Sequence, residues 1–312
     1  MITLPQLRAV LAVVDNALSV SRAATAIHTT QPAVSKLVRT LEVAVGLEMF
    51  VRRGNRLVAL TDAGQEAVSL ARRALNDVRS ISNLSHAYGA GRSGSLRVGT
   101  TLIHARYALL PIVQRFNAEY PEIDFELVQG APAEIVRWVS EGAVDFGVST
   151  LPRSIPDGIE AFEAYPITRC LVVPQGHPLA SAKRLTLERI AKYPFVAYDE
   201  SYNSGWVVQE EFRRKGLAPR VVVRATDANV IKAYVAAGLG IAVLQQMAID
   251  RETDSALVTL STKGLFADSS AQISIRRGKH VRAYMRAFID MVLATKDARP
   301  QGSASKRSRP SQ

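Results

Sequence analysis

Residues 23–36 read Ala23-Ala24-Thr25-Ala26-Ile27-His28-Thr29-Thr30-Gln31-Pro32-Ala33-Val34-Ser35-Lys36, and this stretch decides the fold of the N-terminal part of the chain. Ala23, Ala24 and Ile27, with Leu18 before them, have the spacing of one apolar helix face. The hydroxyls of residues 29 and 30 suit a turn and an N-cap, and proline is tolerated in the first turn of a helix. The stretch therefore predicts a short helix, a turn and a longer helix that begins at Gln31.

Both neighbouring helices have one apolar face. Before the stretch, an apolar face predicts a first helix that carries Leu4, Leu7, Leu11 and Val14. In the longer helix the expected buried residues are Val34, Leu37, Val38, Leu41 and Val45. Gln31, Ser35 and Arg39, with Pro32 and Lys36 beside them, form a polar and basic strip on the opposite side. One side of this helix is expected to pack, and the other is free to contact a partner.

A basic hairpin follows this helix. Gly46 is expected to end the helix, and short apolar segments at 50–51 and 57–58 flank Arg52-Arg53-Gly54-Asn55-Arg56. A Gly-Asn turn between two short apolar segments is typical of a β-hairpin. Three helices and a basic hairpin together have the form of a winged helix-turn-helix, whose longer helix lies in the major groove of DNA.

The residues expected to contact DNA lie on the longer helix and on the hairpin. Gln31 is suited to adenine, Lys36 and Arg39 to guanine or phosphate, and the hairpin arginines to the minor groove or phosphates. The full set of candidates is Thr30, Gln31, Pro32, Ser35, Lys36, Arg39, Arg52, Arg53 and Arg56.

A long helix is predicted from an N-cap at Thr61 to about residue 88. Small and apolar residues recur along it at spacings of four and three, namely Ala67, Ala71, Ala74, Val78 and Ile81. Such a seam is typical of helix–helix dimerisation. A single amphipathic helix packed on its own domain remains the alternative.

The distribution of charge along the 312 residues agrees with one polyanion-binding end. Residues 1–92 contain 11 Lys/Arg and 6 Asp/Glu, and residues 298–312 contain four basic and no acidic residues, within a total net charge of +11. A basic front on a nearly neutral body indicates a nucleic-acid partner, although ordinary solubility charge is the alternative. The tail at 298–312 has few apolar residues to bury and is expected to be disordered.

Several classes of protein are not expected. The apolar runs are too short to span a bilayer, and the N-terminus lacks the features of a secretory signal, so a cytoplasmic location without membrane contact is expected. Cys170 is the sole cysteine and excludes an internal disulfide and a multi-cysteine metal site. Because no Ser-His-Asp elbow, metal-ligand spacing or P-loop is present, we expect no enzyme, no cofactor and no metal.

A second domain is predicted after a flexible Gly-rich linker at 89–94. Strands are expected at 96–99, 123–128, 144–148, 171–173, 195–198, 221–224 and 241–244. Helices are expected at 106–119, 133–141, 205–215, 227–237 and 281–293. This alternation predicts an α/β domain with a mostly parallel sheet.

The chain resembles the LysR-type transcriptional regulators from residue 1 to about 297, most specifically over Thr29 to Lys36 and Leu60-Thr61-Asp62-Ala63-Gly64. Within that family it is similar to the branch of the CysB and Cbl regulators of sulfur assimilation, through stretches such as 105–109, 129–132 and 225–232. The resemblance implies an N-terminal all-α winged helix-turn-helix at 1–60 and a dimerisation helix and hinge at 61–92. It also implies an α/β effector domain at 93–297, built of two periplasmic-binding-protein-like, Rossmann-type subdomains. Subdomain I would comprise 93–166 and 268–297, subdomain II 167–267, with crossings near 166–170 and 266–270.

A ligand in the cleft between those subdomains would lie at strand ends and helix N-termini, which favour anions. Hydroxyl and amide side chains at such places are also plausible helix caps, and only their convergence indicates a site. The candidates are Thr100, Thr101, Ile103, His104, Gln129, Ser149, Thr150, Asn203, Ser204 and Thr226. Ile103, His104 and Asn203 depart from the residues of the sulfur-regulator branch. His104 would supply a charged donor at mildly acidic pH or cap a helix.

The expected partners are promoter DNA, a small effector and further copies of the chain. The resemblance implies a homotetramer, a dimer of dimers, and an anionic effector such as sulfate, an acetylserine or an adenosine phosphosulfate-like molecule. RNA polymerase is a further candidate partner. A regulator of organic-acid or aromatic catabolism is the alternative, and a solute-binding module is a more distant one.

Overall fold

The computed structural model describes residues 1–54, 56–82, 94–250 and 252–295. Its N-terminal domain has three helices, a hairpin and a long helix. These are α1 (Leu4–Asp15), α2 (Val20–Ala26), α3 (Gln31–Val45), β1 (Phe50–Arg53), β2 (Arg56–Leu60) and α4 (Asp62–Ser82). The predicted helix-turn-helix and wing are therefore present.

The turns of this domain have clear local causes. His28 adopts a left-handed conformation between α2 and α3, with φ of 54°, and Gly46 ends α3 with φ of 76°. The Thr61 hydroxyl accepts a hydrogen bond from the Gly64 backbone N–H at 2.9 Å, so Thr61 caps α4 as predicted. A Cβ at Gly64 would lie 1.9 Å from the Met49 carbonyl oxygen, so only glycine fits there.

The core of this domain contains most of the predicted apolar residues. Val34, Val38 and Leu41 of α3 are buried. Val45 is exposed, and the prediction that it is buried is wrong, because it is the last residue of α3 and lies on the side of the last turn away from the core. Leu18 was predicted to belong to α2, but it lies before that helix in a left-handed conformation, so this prediction is wrong.

The first half of α4 packs on its own domain. Ala71 is buried in the core of the N-terminal domain, and Ala67 packs against the same cluster. Ile81 is exposed. Ala67 and Ala71, the first two residues of the predicted dimerisation seam, thus pack within their own chain, because the hairpin and α1 present apolar surface to them. Dimerisation through the rest of the helix remains a prediction.

The C-terminal part is an α/β structure with two lobes. The first lobe contains a five-stranded sheet in the order β4-β3-β5-β12-β6. Its strands are β3 (Gly94–Thr100), β4 (Ile123–Gln129), β5 (Phe146–Ser149), β6 (Ile159–Ile167) and β12 (Ser269–Arg276). One continuous helix spans residues 102–119 after β3; it contains a π-helical segment, His104–Leu109, followed by α5 (Leu110–Glu119).

Helices cover both faces of this sheet. Phe116 of α5 and Phe288 of α10 (Ala283–Ala294) pack on one face, with ring centres 5.2 Å apart. Val136 and Val139 of α6 (Pro132–Glu141) pack on the other. This arrangement places the C-terminal ends of β3 and β5 at one edge of the lobe, where the helix that begins at residue 102 also starts.

The second lobe contains two small sheets, β10-β7-β11 and β8-β9. Its strands are β7 (Arg169–Pro174), β8 (Phe195–Tyr198), β9 (Val221–Ala225), β10 (Ala242–Gln245) and β11 (Leu257–Ser261). Its α-helices are α7 (Leu187–Ile190), α8 (Asn203–Arg214) and α9 (Ala228–Ala236). The chain passes from the first lobe to the second between β6 and β7, and it returns between β11 and β12.

The expectation of a mostly parallel sheet is wrong in part. The pairs β3-β4, β3-β5 and β8-β9 are parallel, whereas β12 is antiparallel to both β5 and β6, and β7 is antiparallel to both β10 and β11. Strands β6, β11 and most of β12 were not predicted. These strands carry the chain between the lobes and do not alternate with helices, so the helix–strand pattern does not reveal them.

Some predictions lie outside the described residues, namely the turn residue Asn55, the end of the long helix near residue 88, most of the linker at 89–94 and the tail at 298–312.

Cys170 is buried, and burial raises the pKa of its thiol to about 12, so the thiol is protonated at neutral pH. Within the described ranges, no helix combines the length and apolar character needed to cross a membrane.

Candidate functional site

Five predicted DNA-contacting residues lie along one exposed face of α3, which we call the recognition face: Gln31, Pro32, Ser35, Lys36 and Arg39. The opposite face of the helix carries the buried residues Val34, Val38 and Leu41. Packing therefore uses the apolar face and leaves Lys36 and Arg39 accessible to a partner.

Local hydrogen bonds position the start of the recognition face. Thr30 is the N-cap of α3, and its hydroxyl accepts a hydrogen bond from the Ala33 backbone N–H at 3.4 Å. The Ser21 hydroxyl of α2 donates to Gln31 Oε1 at 3.1 Å. This bond links the two helices of the motif at their exposed ends.

The wing arginines differ in their surroundings. Arg53 and Arg56 are exposed on either side of the hairpin tip. Arg52, also predicted to contact DNA, forms an ion pair with Glu42 of α3, with 2.5 Å between Arg52 Nη2 and Glu42 Oε2. The structure therefore gives the Arg52 guanidinium a partner within the protein.

Glu42 was not predicted as a site residue, yet it joins α3 to the β1–β2 hairpin, the wing. It is buried, and its Oε1 accepts hydrogen bonds from the backbone N–H groups of Met49 at 3.0 Å and Phe50 at 3.3 Å. A buried carboxylate is stable only when it is paired in this way. An acidic residue beside the apolar face of a helix was the available signal.

A small cleft lies between the two lobes. Its lining comes from the first helix of the first lobe and from strand ends and loops of both lobes. The residues are Thr101, Leu102, Ile103, His104, Thr150, Tyr198, Tyr202, Ser204, Thr226 and Gln245. Six of the ten predicted effector-binding residues are thus brought together.

The other four predicted residues do not line this cleft. The Thr100 hydroxyl points into the sheet and donates to the Val148 carbonyl oxygen at 2.7 Å. Ser149 is buried at the end of β5, Asn203 is half-buried, and Gln129 is exposed at the end of the edge strand β4. Successive side chains along a strand point to opposite sides, so the pairs at 100–101 and 149–150 each send one hydroxyl into the cleft.

His104 does not have either of the roles predicted for it. Its Nδ1 lies 2.7 Å from the Tyr165 hydroxyl of β6, and it lies inside the helix at 102–119. Burial lowers its pKa to about 4, so the imidazole is neutral at mildly acidic pH. It is therefore neither a charged donor at such pH nor a helix cap, and a neutral ring borders the cleft.

The cleft contains polar groups that need a partner. Among the described side chains, Thr101 Oγ1 and Gln245 Oε1 are buried polar atoms with no hydrogen-bond partner. Gln245 Nε2 donates to Ser204 Oγ at 2.7 Å. The ten lining residues include no Asp, Glu, Lys or Arg. Unpaired buried polar atoms are costly, so these groups favour a small polar occupant.

Four lining residues were not predicted: Leu102, Tyr198, Tyr202 and Gln245. Tyr198 and Gln245 are the last residues of β8 and β10. The rule that ligands bind beyond strand ends would have indicated both. Tyr202 precedes α8, and no local pattern distinguishes it from other loop tyrosines.

Comparison with known proteins agrees with this architecture. Residues 4–65 match the family described as "Bacterial regulatory helix-turn-helix protein, lysR family", and residues 89–297 match "LysR substrate binding domain". The chain is 37% identical to the transcriptional regulator SsuR of Burkholderia cenocepacia, over 92% of this chain and 93% of that protein. It is 35% identical to CysB of Haemophilus influenzae, over 91% of this chain and 88% of that protein.

Solved structures have the same fold. The cofactor-binding domain of the Cbl transcriptional regulator aligns with a TM-score of 0.62 and 34% identity, covering 65% of this chain and 89% of that domain. Full-length OxyR C199D from Pseudomonas aeruginosa aligns over 94% of this chain with a TM-score of 0.72; at 20% identity, it supports the fold alone. The chain therefore belongs to the LysR family of DNA-binding transcriptional regulators and is not an enzyme.

Proposed function

We propose that this regulator binds promoter DNA through the recognition face of α3 and the wing, as a cytoplasmic dimer of dimers, and controls sulfur-assimilation genes in response to a small anion. The observation that carries the DNA-binding part is the exposure of Gln31, Ser35, Lys36 and Arg39 opposite the buried face of α3. A helix with an exposed polar face opposite a buried apolar face can enter the major groove while its buried face stays packed in the domain core. RNA polymerase remains a candidate partner.

A salt titration tests the DNA-binding surface. Binding of the full chain to a 30-base-pair duplex is measured by fluorescence anisotropy at several salt concentrations, for the wild type, Lys36→Ala and Arg39→Ala. Each substitution is expected to reduce the slope of log affinity against log salt by about 1, because one phosphate contact is lost. Arg115→Ala, an exposed arginine paired with Glu119 of α5, is the matched control for loss of one positive charge. Slopes of both variants equal to that of the control would refute this surface.

Two features support a small anionic effector in the cleft. The lining carries hydroxyls and no carboxylate, and the unpartnered Thr101 Oγ1 lies at the start of the helix that spans 102–119. Helix N-termini present unpaired N–H groups and favour anions. Sulfur metabolism is favoured over the organic-acid and aromatic alternatives by the similarity to SsuR, CysB and Cbl.

Calorimetric titration of the full chain tests the effector class. The probes are sulfate, thiosulfate, O-acetylserine, N-acetylserine, adenosine phosphosulfate and benzoate. Thr101→Val is expected to raise the Kd of the probe that binds by about tenfold, because a buried hydrogen-bond donor is lost. Thr259→Val on the exposed side of β11 is the matched control. Binding of benzoate alone would favour the aromatic alternative, and equal affinities for Thr101→Val and the control would remove Thr101 from the site.

A further inference from the structure

The helix that follows β3 contributes to the cores of both lobes. Ile103 belongs to the first lobe by sequence, yet it is 9% exposed and is part of the buried cluster of the second lobe, which includes Val196 and Ile231. Tyr107, one turn further along the same helix, packs against the same cluster. Separating the lobes would therefore expose apolar surface that this helix now buries.

Polar contacts accompany this packing. The Tyr107 hydroxyl donates to Asn229 Oδ1 of α9 at 2.7 Å. Lys232 of the same helix places Nζ 3.5 Å from the Tyr107 oxygen and 5.7 Å from the centre of its ring. One tyrosine of the first lobe thus meets an amide and a cation of the second lobe.

Lys232 is held in place by the second lobe itself. Its side chain is 9% exposed, and Nζ donates to Asp254 Oδ2 at 2.8 Å and to the Ala248 carbonyl oxygen at 2.9 Å. Asp254 also accepts a hydrogen bond from the Asp250 backbone N–H at 2.9 Å. A buried ion pair is weak evidence for stability, because desolvation opposes the attraction. Its definite effect here is to present an ordered cation to Tyr107.

These contacts lie beside the effector cleft. Ile103 and His104 line the cleft and share the helix with Tyr107, and Thr226 lines it two residues before α9 begins. Any change in the separation of the lobes at the cleft must therefore move Tyr107 relative to Asn229 and Lys232.

We propose that Tyr107, Asn229 and Lys232 form an interlobe latch, a set of positioning residues that holds the two lobes of this regulator closed around the effector cleft. The latch acts in the chain without an effector, because every contact is intramolecular. It lowers the work that a bound effector must do to keep the lobes together, so its loss weakens the effector response.

The latch is tested by measuring lobe separation directly. Spin labels are attached at Ala118→Cys in the first lobe and Ala218→Cys in the second, both exposed alanines, while the buried Cys170 does not react. Distance distributions are recorded by pulsed electron paramagnetic resonance on the full chain, diluted with unlabelled chain so that intrachain distances dominate. No effector is added.

Tyr107→Phe removes the hydroxyl and keeps the ring, and it is expected to raise the ratio of open to closed chains by about tenfold, as for the loss of one hydrogen bond. Asn229→Ala is expected to shift the distribution in the same direction. Tyr234→Phe, an exposed tyrosine on the same helix, is the matched control and should leave the distribution unchanged. Lys232→Met is a further variant, and the test stands without it if that chain fails to fold.

Distributions for Tyr107→Phe and Asn229→Ala that coincide with the wild type would overturn the latch. Shifts accompanied by wild-type DNA affinity would support it, since a merely structural defect would not move lobe separation alone. The distance measurement itself uses neither DNA nor effector, and DNA affinity is measured only as a check on the fold of the variants, so failure of the latch leaves the proposed function standing.

Discussion

Glu42 allows a sharp test of how the recognition helix is joined to the wing. Replacing it by alanine leaves the buried N–H groups of Met49 and Phe50 without their acceptor. Each unpaired buried donor costs about 1–3 kcal/mol, so Glu42→Ala should lower the local unfolding free energy by about 4 kcal/mol. The ion pair with Arg52 adds little, because the arginine side chain is 37% exposed and screened by solvent.

Hydrogen exchange measured by mass spectrometry on the full chain reports this loss, in peptides that cover α3 and the hairpin. Arg52→Ala keeps both backbone hydrogen bonds and should cost less than about 1 kcal/mol. Glu48→Ala removes the same charge from an exposed position and is the matched control. If Glu42→Ala cost no more than Glu48→Ala, or if Arg52→Ala cost as much as Glu42→Ala, the assignment of the stabilising role to the backbone hydrogen bonds would be refuted.

Two further predictions concern charge. The pKa of His104 is about 4 in the folded chain and 6.5 in the unfolded chain, so the stability it contributes is present above pH 6.5 and is lost as pH falls towards 4. In urea denaturation, the wild type should lose about 2 kcal/mol more stability between pH 7 and pH 5 than His104→Gln does, whereas His28→Asn on the surface should behave as the wild type. The same pH profile in His104→Gln as in the wild type would contradict the burial of a neutral ring. In the wing, Arg53→Ala and Arg56→Ala should each reduce the slope of log affinity for DNA against log salt by about 1. Arg52→Ala should reduce this slope by less, because the Arg52 guanidinium already pairs with Glu42. Equal slopes for all three variants would mean that DNA displaces that ion pair.

Local patterns were sufficient for the main elements of the DNA-binding domain. The cap at Thr61, the end of α3 at Gly46 and the division of α3 into a buried and an exposed face each depend on residues within a few positions of one another. For the same reason the main helices of the effector domain were predicted within a few residues of their positions. Strands β6 and β11 were missed, because they connect the lobes and pair with strands distant in sequence.

The cleft between the lobes was predicted in outline and not in detail. Strand ends indicated where hydroxyls would gather, and six of the ten expected residues line the cleft. The sequence predicts Thr100 and Ser149 together with their neighbours, because it does not state on which residue each strand ends. The neutral state of His104 follows from burial against Tyr165, which lies 61 residues further along the chain.

By itself, the sequence determined the helix-turn-helix, the wing, the basic recognition face and the family, because periodicity, caps and turn residues act over one or two helical turns. Only the tertiary structure decided which arginine of the wing is paired, which hydroxyls enter the cleft, and that Tyr107 meets Asn229 and Lys232 from the opposite lobe. Those contacts join residues from 10 to 125 positions apart. Their geometry depends on how whole sheets and helices pack, which no local pattern specifies.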